Sequence, residues 1–152
     1  MLTILGSCVA TCMWDPVAQV GGLNHFLLAQ SETDTSTSPR YGVHSMELLI
    51  NGLLKLGAER SRLKSKVFGG ARMFDGLGTI GENNAAFAQA FLNAENIPCL
   101  GGSLGGTNAR KVRFWPTTGK VQQMQLNDKD QITLSRPKPT VPVQSSDDTI
   151  FF

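Results

Sequence analysis

Charge is scarce in this sequence, and what there is does not cluster. Of 152 residues, 14 are Lys or Arg and 12 are Asp or Glu, leaving a net charge of +2 with 17% of residues charged. So weak a balance, with no basic run interleaved with aromatics, argues against a nucleic-acid surface. Long apolar runs are missing too. No stretch approaches the ~20 residues needed to cross a bilayer, so membrane insertion is not expected. Met1 to Ala10 is apolar but lacks the basic start of a signal peptide, and it reads as a strand. Histidine is rarer still. His25 and His44 are the only two, and three cysteines (Cys8, Cys12 and Cys99) complete the set of soft ligands. Cys8 and Cys12 have no second ligand pair at zinc spacing, so neither metal nor cofactor is expected. Three thiols, one of them odd, are no secreted disulfide framework, and they point to a reducing cytoplasm.

What is present suits one domain with a real core, since 41% of the residues are hydrophobic. Leu2 to Leu5 reads as a short strand entering a Gly6-Ser7 turn, and Val9 to Trp14 as the next strand. Asp15-Pro16 turns the chain back into a strand from Gly22 to Ala29. Ser31 to Arg40 is a polar run and reads as a loop beside this region. From Tyr41 to Gly57, the residues Val43, Met46, Ile50, Leu53 and Leu54 recur at helical spacing, widened by Leu49 and Leu56, and Gly57 supplies a stop. Arg60 to Phe68 reads as a strand with Arg62, Lys64 and Lys66 on a wet face. Gly69-Gly70-Ala71 follows, where amides can serve either an oxyanion or a packing turn. Thr79-Ile80-Gly81-Glu82 fits a capping box opening a second helix with Phe87, Ala90, Phe91 and Ala94 as its buried stripe. Ile97 to Leu104 is strand-like, with Cys99 read as a core thiol. Lys111 to Trp115 and Lys120 to Leu126 flank a hairpin turn. Strands before and after two amphipathic helices make a mixed α/β domain over residues 1–126. Residues 127–152, rich in Pro, Ser and Asp, read as a flexible tail.

The chemistry-bearing stretch is Leu5-Gly6-Ser7-Cys8-Val9-Ala10, taken with Gly21-Gly22-Leu23-Asn24-His25. If the Val9 and Gly22 strands pair antiparallel across the Asp15 turn, Cys8 and His25 meet at the open end of the pair. A thiol with an ordinary pKa of ~8.5 needs a base to become a nucleophile. The alternative reading stays open at this point: a cysteine in an apolar run is ordinarily a small core residue.

Those two blocks, with Asp15-Pro16-Val17-Ala18 between them, closely resemble the CheD family of chemoreceptor glutamine deamidases. So do Gly69-Gly70-Ala71-Arg72-Met73-Phe74, Ile80-Gly81-Glu82-Asn83-Asn84, Gly105-Gly106-Thr107-Asn108-Ala109-Arg110-Lys111-Val112 and Thr118-Gly119-Lys120-Val121. They occur in the family's order from about Thr3 to about Leu126. The resemblance implies a layered α/β/β sandwich, two main helices packed on mixed and antiparallel sheets. It implies a cytoplasmic amidohydrolase that converts glutamines of a chemoreceptor cytoplasmic domain to glutamates, with Cys8 as nucleophile, His25 as base and Thr3 orienting the histidine. It also implies docking of a CheC-type chemotaxis phosphatase, which offers the alternative of a regulatory binding module. The family usually carries a further segment ahead of the threonine, and its lack here would leave Thr3 near a fraying terminus.

Overall fold

A computed structural model describes residues 1–28, 37–73, 79–127 and 150–151. In chain order the elements are β1 (Leu2–Leu5), β2 (Val9–Asp15), β3 (Val20–Phe26), α1 (Thr37–Lys55), a 3-10 turn (Arg60–Arg62), β4 (Lys64–Gly69), α2 (Ile80–Ala94), β5 (Cys99–Leu104), β6 (Arg110–Trp115), β7 (Lys120–Gln125) and β8 (Ile150–Phe151). They build two sheets. One is antiparallel in the order β1-β6-β7, and the other is mixed in the order β5-β4-β2-β3-β8, with β4 and β5 parallel. No helix among the described residues is long and apolar enough to cross a membrane.

β2 explains the layering. All seven of its residues are buried, as expected of a central strand covered on both faces. Val9 and Met13 point into a core with Met46, Leu49, Ile50 and Leu53 of α1 and Ala88 and Leu92 of α2. Ala10, Cys12 and Trp14 point the other way, into a core with Leu5, Val112 and Phe114 of the smaller sheet. The order across the molecule is therefore helices, large sheet, small sheet, the α/β/β sandwich expected.

Several local expectations are corrected. Helix α1 begins at Thr37, so the end of the Ser31 to Arg40 loop is helical, while residues 29–36 lie outside the described residues. Leu56 is exposed rather than part of the stripe. Arg60–Arg62 is a 3-10 turn, and Lys66 is half-buried with Nζ donating to Gly119 O at 3.0 Å over the Trp14 ring. Its stem covers an aromatic between the sheets instead of facing water. Thr79 makes no side-chain cap bond, its Oγ1 accepting from Asn83 Nδ2 at 3.4 Å, and Glu82 pairs with Arg72 rather than reaching back. Helix α2 buries Gly81, Asn84, Ala85, Ala88 and Leu92, leaving Ala90 and Ala94 exposed. That phase is set at its first turn, where a Cβ on Gly81 would come within 2.6 Å of the Gly70 and Ala71 carbonyl oxygens. Cys99 is exposed on the edge strand β5. Most of the expected tail lies outside the described residues, but Ile150 and Phe151 pair with Leu23 and Gly22 of β3.

Candidate active site

Strands β1 and β2 belong to different sheets, so the Gly6-Ser7-Cys8 turn between them crosses the sandwich. Three successive carbonyls fix that turn. Gly6 O accepts from Ala71 N at 2.9 Å, Ser7 O from Asn84 Nδ2 at 2.9 Å, and Cys8 O from Gly70 N at 2.8 Å. Gly69 must be glycine here: its φ is +113°, and a Cβ would stand 2.0 Å from Cys8 O. The amides of Gly70 and Ala71 are thus engaged in holding the turn, which corrects the idea that they are donors for an oxyanion. The next loop stacks on the same framework, with Gly105 N donating to Gly69 O and Arg72 N to Gly106 O.

Cys8 is half-buried and packs against the inter-sheet core. Burial pushes its thiol above the ordinary value, with a backbone hydrogen bond offsetting part of the effect. The antiparallel register pairs Val9 with Phe26 and Ala10 with His25. His25 therefore shares a face with Ala10 and lies diagonal to Cys8, since side chains alternate along a strand. From the facing sheet, Thr3 on β1 places its Oγ1 3.3 Å from His25 Nδ1. Thr3 does not sit in a frayed end. The Met1 ammonium donates to Phe114 O, and Phe114 N donates back to Met1 O, both at 2.9 Å.

The three residues named from the sequence thus converge from three segments on one end of the inter-sheet layer. The other thiols do not join them. Cys12 is fully buried, and burial pushes it up to about 12, with Lys66 acting weakly the other way. Cys99 is on the exposed edge, its Sγ directed at Gly101 O at 3.4 Å. His44 is exposed on α1, on the opposite side of the large sheet. A cavity of about 560 Å³ lies between α2 and β5, lined in part by Val67, Leu92 and Cys99. It includes neither Cys8 nor His25.

Sequence reasoning assigned no role to three buried polar residues around this site. Asn24, next to His25, points to the helical side, accepting from Thr11 N at 3.0 Å and donating to Ser45 Oγ at 3.3 Å. It locks the strand so that His25 must face the other sheet. Asn84 accepts from Leu28 N at 2.9 Å while holding Ser7 O. Arg110 is buried beneath the glycine loop, its guanidinium donating to Ser103 O, Ser103 Oγ and Gly105 O. Burial lowers its pKa, and among the described residues no carboxylate pairs with it. One signal was available: an asparagine on the buried side of an amphipathic helix needs a hydrogen-bonding reason to be there.

Comparison with known proteins bears on the whole chain. Residues 27–125 match the family described as CheD chemotactic sensory transduction. A probable chemoreceptor glutamine deamidase CheD of Cereibacter sphaeroides is 54% identical over 149 residues, covering 98% of this chain and 75% of the relative. One from a Caulobacter species is 49% identical over 156 residues, covering 100% of this chain and 83% of the relative. One from Rhizobium leguminosarum bv. trifolii is 53% identical over 152 residues, covering 95% and 83%. The family match starts after His25, whereas the Caulobacter relative is matched over the whole of this chain and so over the segment carrying Thr3, Cys8 and His25.

Proposed function

This chain belongs to the CheD family, and from that premise we propose that it deamidates selected glutamine side chains of chemoreceptors, with Cys8 as nucleophile, His25 as general base and acid, and Thr3 orienting the histidine. The observation that carries the assignment of roles is the Thr3 to His25 contact across the sheets, on the face that Cys8 shares.

The steps follow from that arrangement. With Nδ1–H donating to Thr3 Oγ1, Nε2 is the unprotonated nitrogen and can take the thiol proton. A half-buried thiol with a raised pKa gives up its proton poorly on its own, so a base at hand matters more here than at an exposed cysteine. The thiolate attacks the glutamine carboxamide carbon. The imidazolium returns the proton to the departing nitrogen, which leaves as ammonia, and a glutamyl thioester remains. Water, deprotonated by the same imidazole, then releases glutamate and the free thiol. This chemistry requires a reduced cysteine and therefore fits the cytoplasm. The chemoreceptor is the substrate. The relatives' names favour a deamidase over a purely regulatory module, and a CheC-type phosphatase is a partner we carry only from the family resemblance.

The test is ammonia release from a receptor cytoplasmic fragment, with the mass of each glutamine-bearing peptide read in parallel. Wild type should release ammonia and add the one-dalton increase of amide-to-acid conversion. Cys8→Ser, nearly isosteric, should lower the rate by roughly 10³-fold or more with an unchanged melting curve. Turnover near wild type in Cys8→Ser would remove the cysteine from the mechanism.

A further inference from the structure

The Val9 to Phe26 rung is the last pairing between β2 and β3. Beyond it stand the two segments that matter most, Ser7-Cys8 on one side and Leu27-Leu28 on the other, with no ladder bond of their own to fix their separation. One side chain spans that gap. Asn84, from the second turn of α2, donates from Nδ2 to Ser7 O and accepts at Oδ1 from Leu28 N, both at 2.9 Å. We propose that Asn84 is a positioning residue for the reaction: its planar amide replaces the missing rung and sets the spacing between the nucleophile's turn and the strand carrying the base. The proposal rests on the reading of Cys8 and His25 given above.

Two features separate this role from ordinary packing. The first is chemical. Asn84 is fully buried in a helix whose other buried residues near it, Gly81, Ala85 and Ala88, are small and apolar. Asparagine is a poor helix former, and burying an amide costs free energy unless both its donor and its acceptor are used. A methyl group would dock the helix on the sheet without that cost. The second is geometric. Of the three carbonyls that hold the thiol's turn, Gly6 O and Cys8 O are bound by backbone amides of one segment, which fixes the turn only against the glycine loop. Ser7 O is the one bound by a group that also grips the far side of the site. Asn84 thereby ties the residue before Cys8 to the residue three beyond His25. Reacting groups misplaced by about 1 Å lose on the order of 10²-fold in rate, so a spacer of this kind acts on kcat.

The experiment compares Asn84→Asp with Leu92→Ala, a buried apolar lesion later in the same helix. Asn84→Asp keeps the size and the acceptor for Leu28 N and removes the donor to Ser7 O. It should lower kcat on a receptor fragment by about 10²-fold with KM within about twofold. In a Cys99→Ser background, alkylation of Cys8 by iodoacetamide near neutral pH should slow as well, because the thiol has lost its base. Leu92→Ala should cost more in melting temperature yet leave kcat within about twofold, at a temperature where both variants are folded. Asn84→Ser, smaller and uncharged, repeats the measurement should the aspartate not fold. Unchanged kcat and alkylation in a folded Asn84 variant would overturn the proposal. So would losses that track melting temperature equally in the Asn84 and Leu92 variants. Cys8→Ser in the same assay separates the two levels of inference: if it stays active, the site reading has failed whatever Asn84 does.

Discussion

The two ends of β2 treat a buried ionisable group in opposite ways. At one end Asp15 is fully buried, and its carboxylate accepts from the amides of Val17 at 2.8 Å, Ala18 at 3.1 Å and Glu59 at 2.9 Å. Arg62 adds Nε at 3.0 Å and Nη2 at 2.9 Å. Burial alone would raise this carboxyl's pKa, but the Arg62 guanidinium and the three amides outweigh it and hold it well below the usual carboxylate range. At the other end the Cys8 thiol is pushed upward by burial, opposed in part by a backbone hydrogen bond and by no cation among the described residues. The other donors there bind the carbonyls of the turn. A charge met by five donors fastens a strand to its neighbours. A proton held mainly by burial is available for transfer once a base is aimed at it. On the proposed assignment of Cys8, stability and chemistry are placed at opposite ends of one strand.

The sharpest way to break this comparison is to remove the base from the reactive end. His25→Ala should lower turnover by about 10²-fold at neutral pH, the scale of a lost general base. The sign of its pH dependence follows from the thiol. With a pKa above the ordinary value, Cys8 is protonated near neutrality, and its thiolate fraction rises about tenfold per pH unit until that pKa is reached. Residual activity of His25→Ala should climb with pH on that slope. A flat profile would mean that thiolate formation at Cys8 does not limit the reaction.

The reactive end was also the more legible one in the sequence. Alternation along Val9 to Trp14 and the Asp15-Pro16 turn sufficed to pair β2 with β3 and bring Cys8 near His25, because a hairpin register is set by local chemistry. The layering, and the placing of Thr3 beside His25, came through resemblance: nothing local in Leu2-Thr3-Ile4-Leu5 says that it will face a histidine from another sheet. What stayed hidden depends on contacts distant in sequence. Lys66 alternates like a solvent-facing lysine, yet it ends between Trp14 and the Gly119 carbonyl. The phase of α2 follows from the glycine contact with Gly70 and not from its phenylalanines, which flank the core, Phe87 standing edge-on to Phe26 at 5.8 Å. Cys99 sits in an apolar run, but in a strand that closes the edge of its sheet. Asp15 was legible as a turn residue and not as the acceptor of a guanidinium 47 residues away.

The fastening end gives the next largest effect, and on a different observable. Asp15→Asn keeps the shape but leaves Arg62 without its counter-charge and some amide donors facing a poorer acceptor. The melting temperature should fall by roughly 5–10 °C, while kcat at a permissive temperature stays within about twofold. Acid supplies the matching control. A carboxyl whose folded pKa is depressed contributes stability that is fully present above the unfolded value of about 4 and is lost as pH falls toward the folded one. Wild-type stability should therefore decline below about pH 4 more steeply than that of Asp15→Asn. Parallel declines would show that other carboxylates govern the acid limb. A large loss of kcat in folded Asp15→Asn would show that the two ends of β2 are not independent.

The smallest expected effect tests whether the reactive end needs its third member. Thr3 is joined to β6 through the backbone, paired opposite Val112, so the side chain can be changed without undoing the strand. Its hydroxyl meets His25 Nδ1 at 3.3 Å, a longer contact than those holding the Cys8 turn. A hydroxyl in this place can select the tautomer in which Nε2 is the unprotonated nitrogen, but it carries no charge to stabilise the imidazolium that forms next. Its removal should therefore cost less than the loss of a triad aspartate, and less than the loss of the imidazole itself. Thr3→Val retains the β-branched shape and the strand propensity and deletes only the oxygen. It should lower kcat by about tenfold with KM and melting temperature little changed, and Thr3→Ser should restore most of the rate. The serine comparison decides the cause, since serine returns the oxygen while losing the methyl. If Thr3→Val turns over at the wild-type rate, the histidine is held by packing and by its neighbour Asn24 on the same strand, and the chemistry reduces to a Cys8–His25 dyad. If Thr3→Ser is as impaired as Thr3→Val, the methyl group and not the hydroxyl is what the site requires.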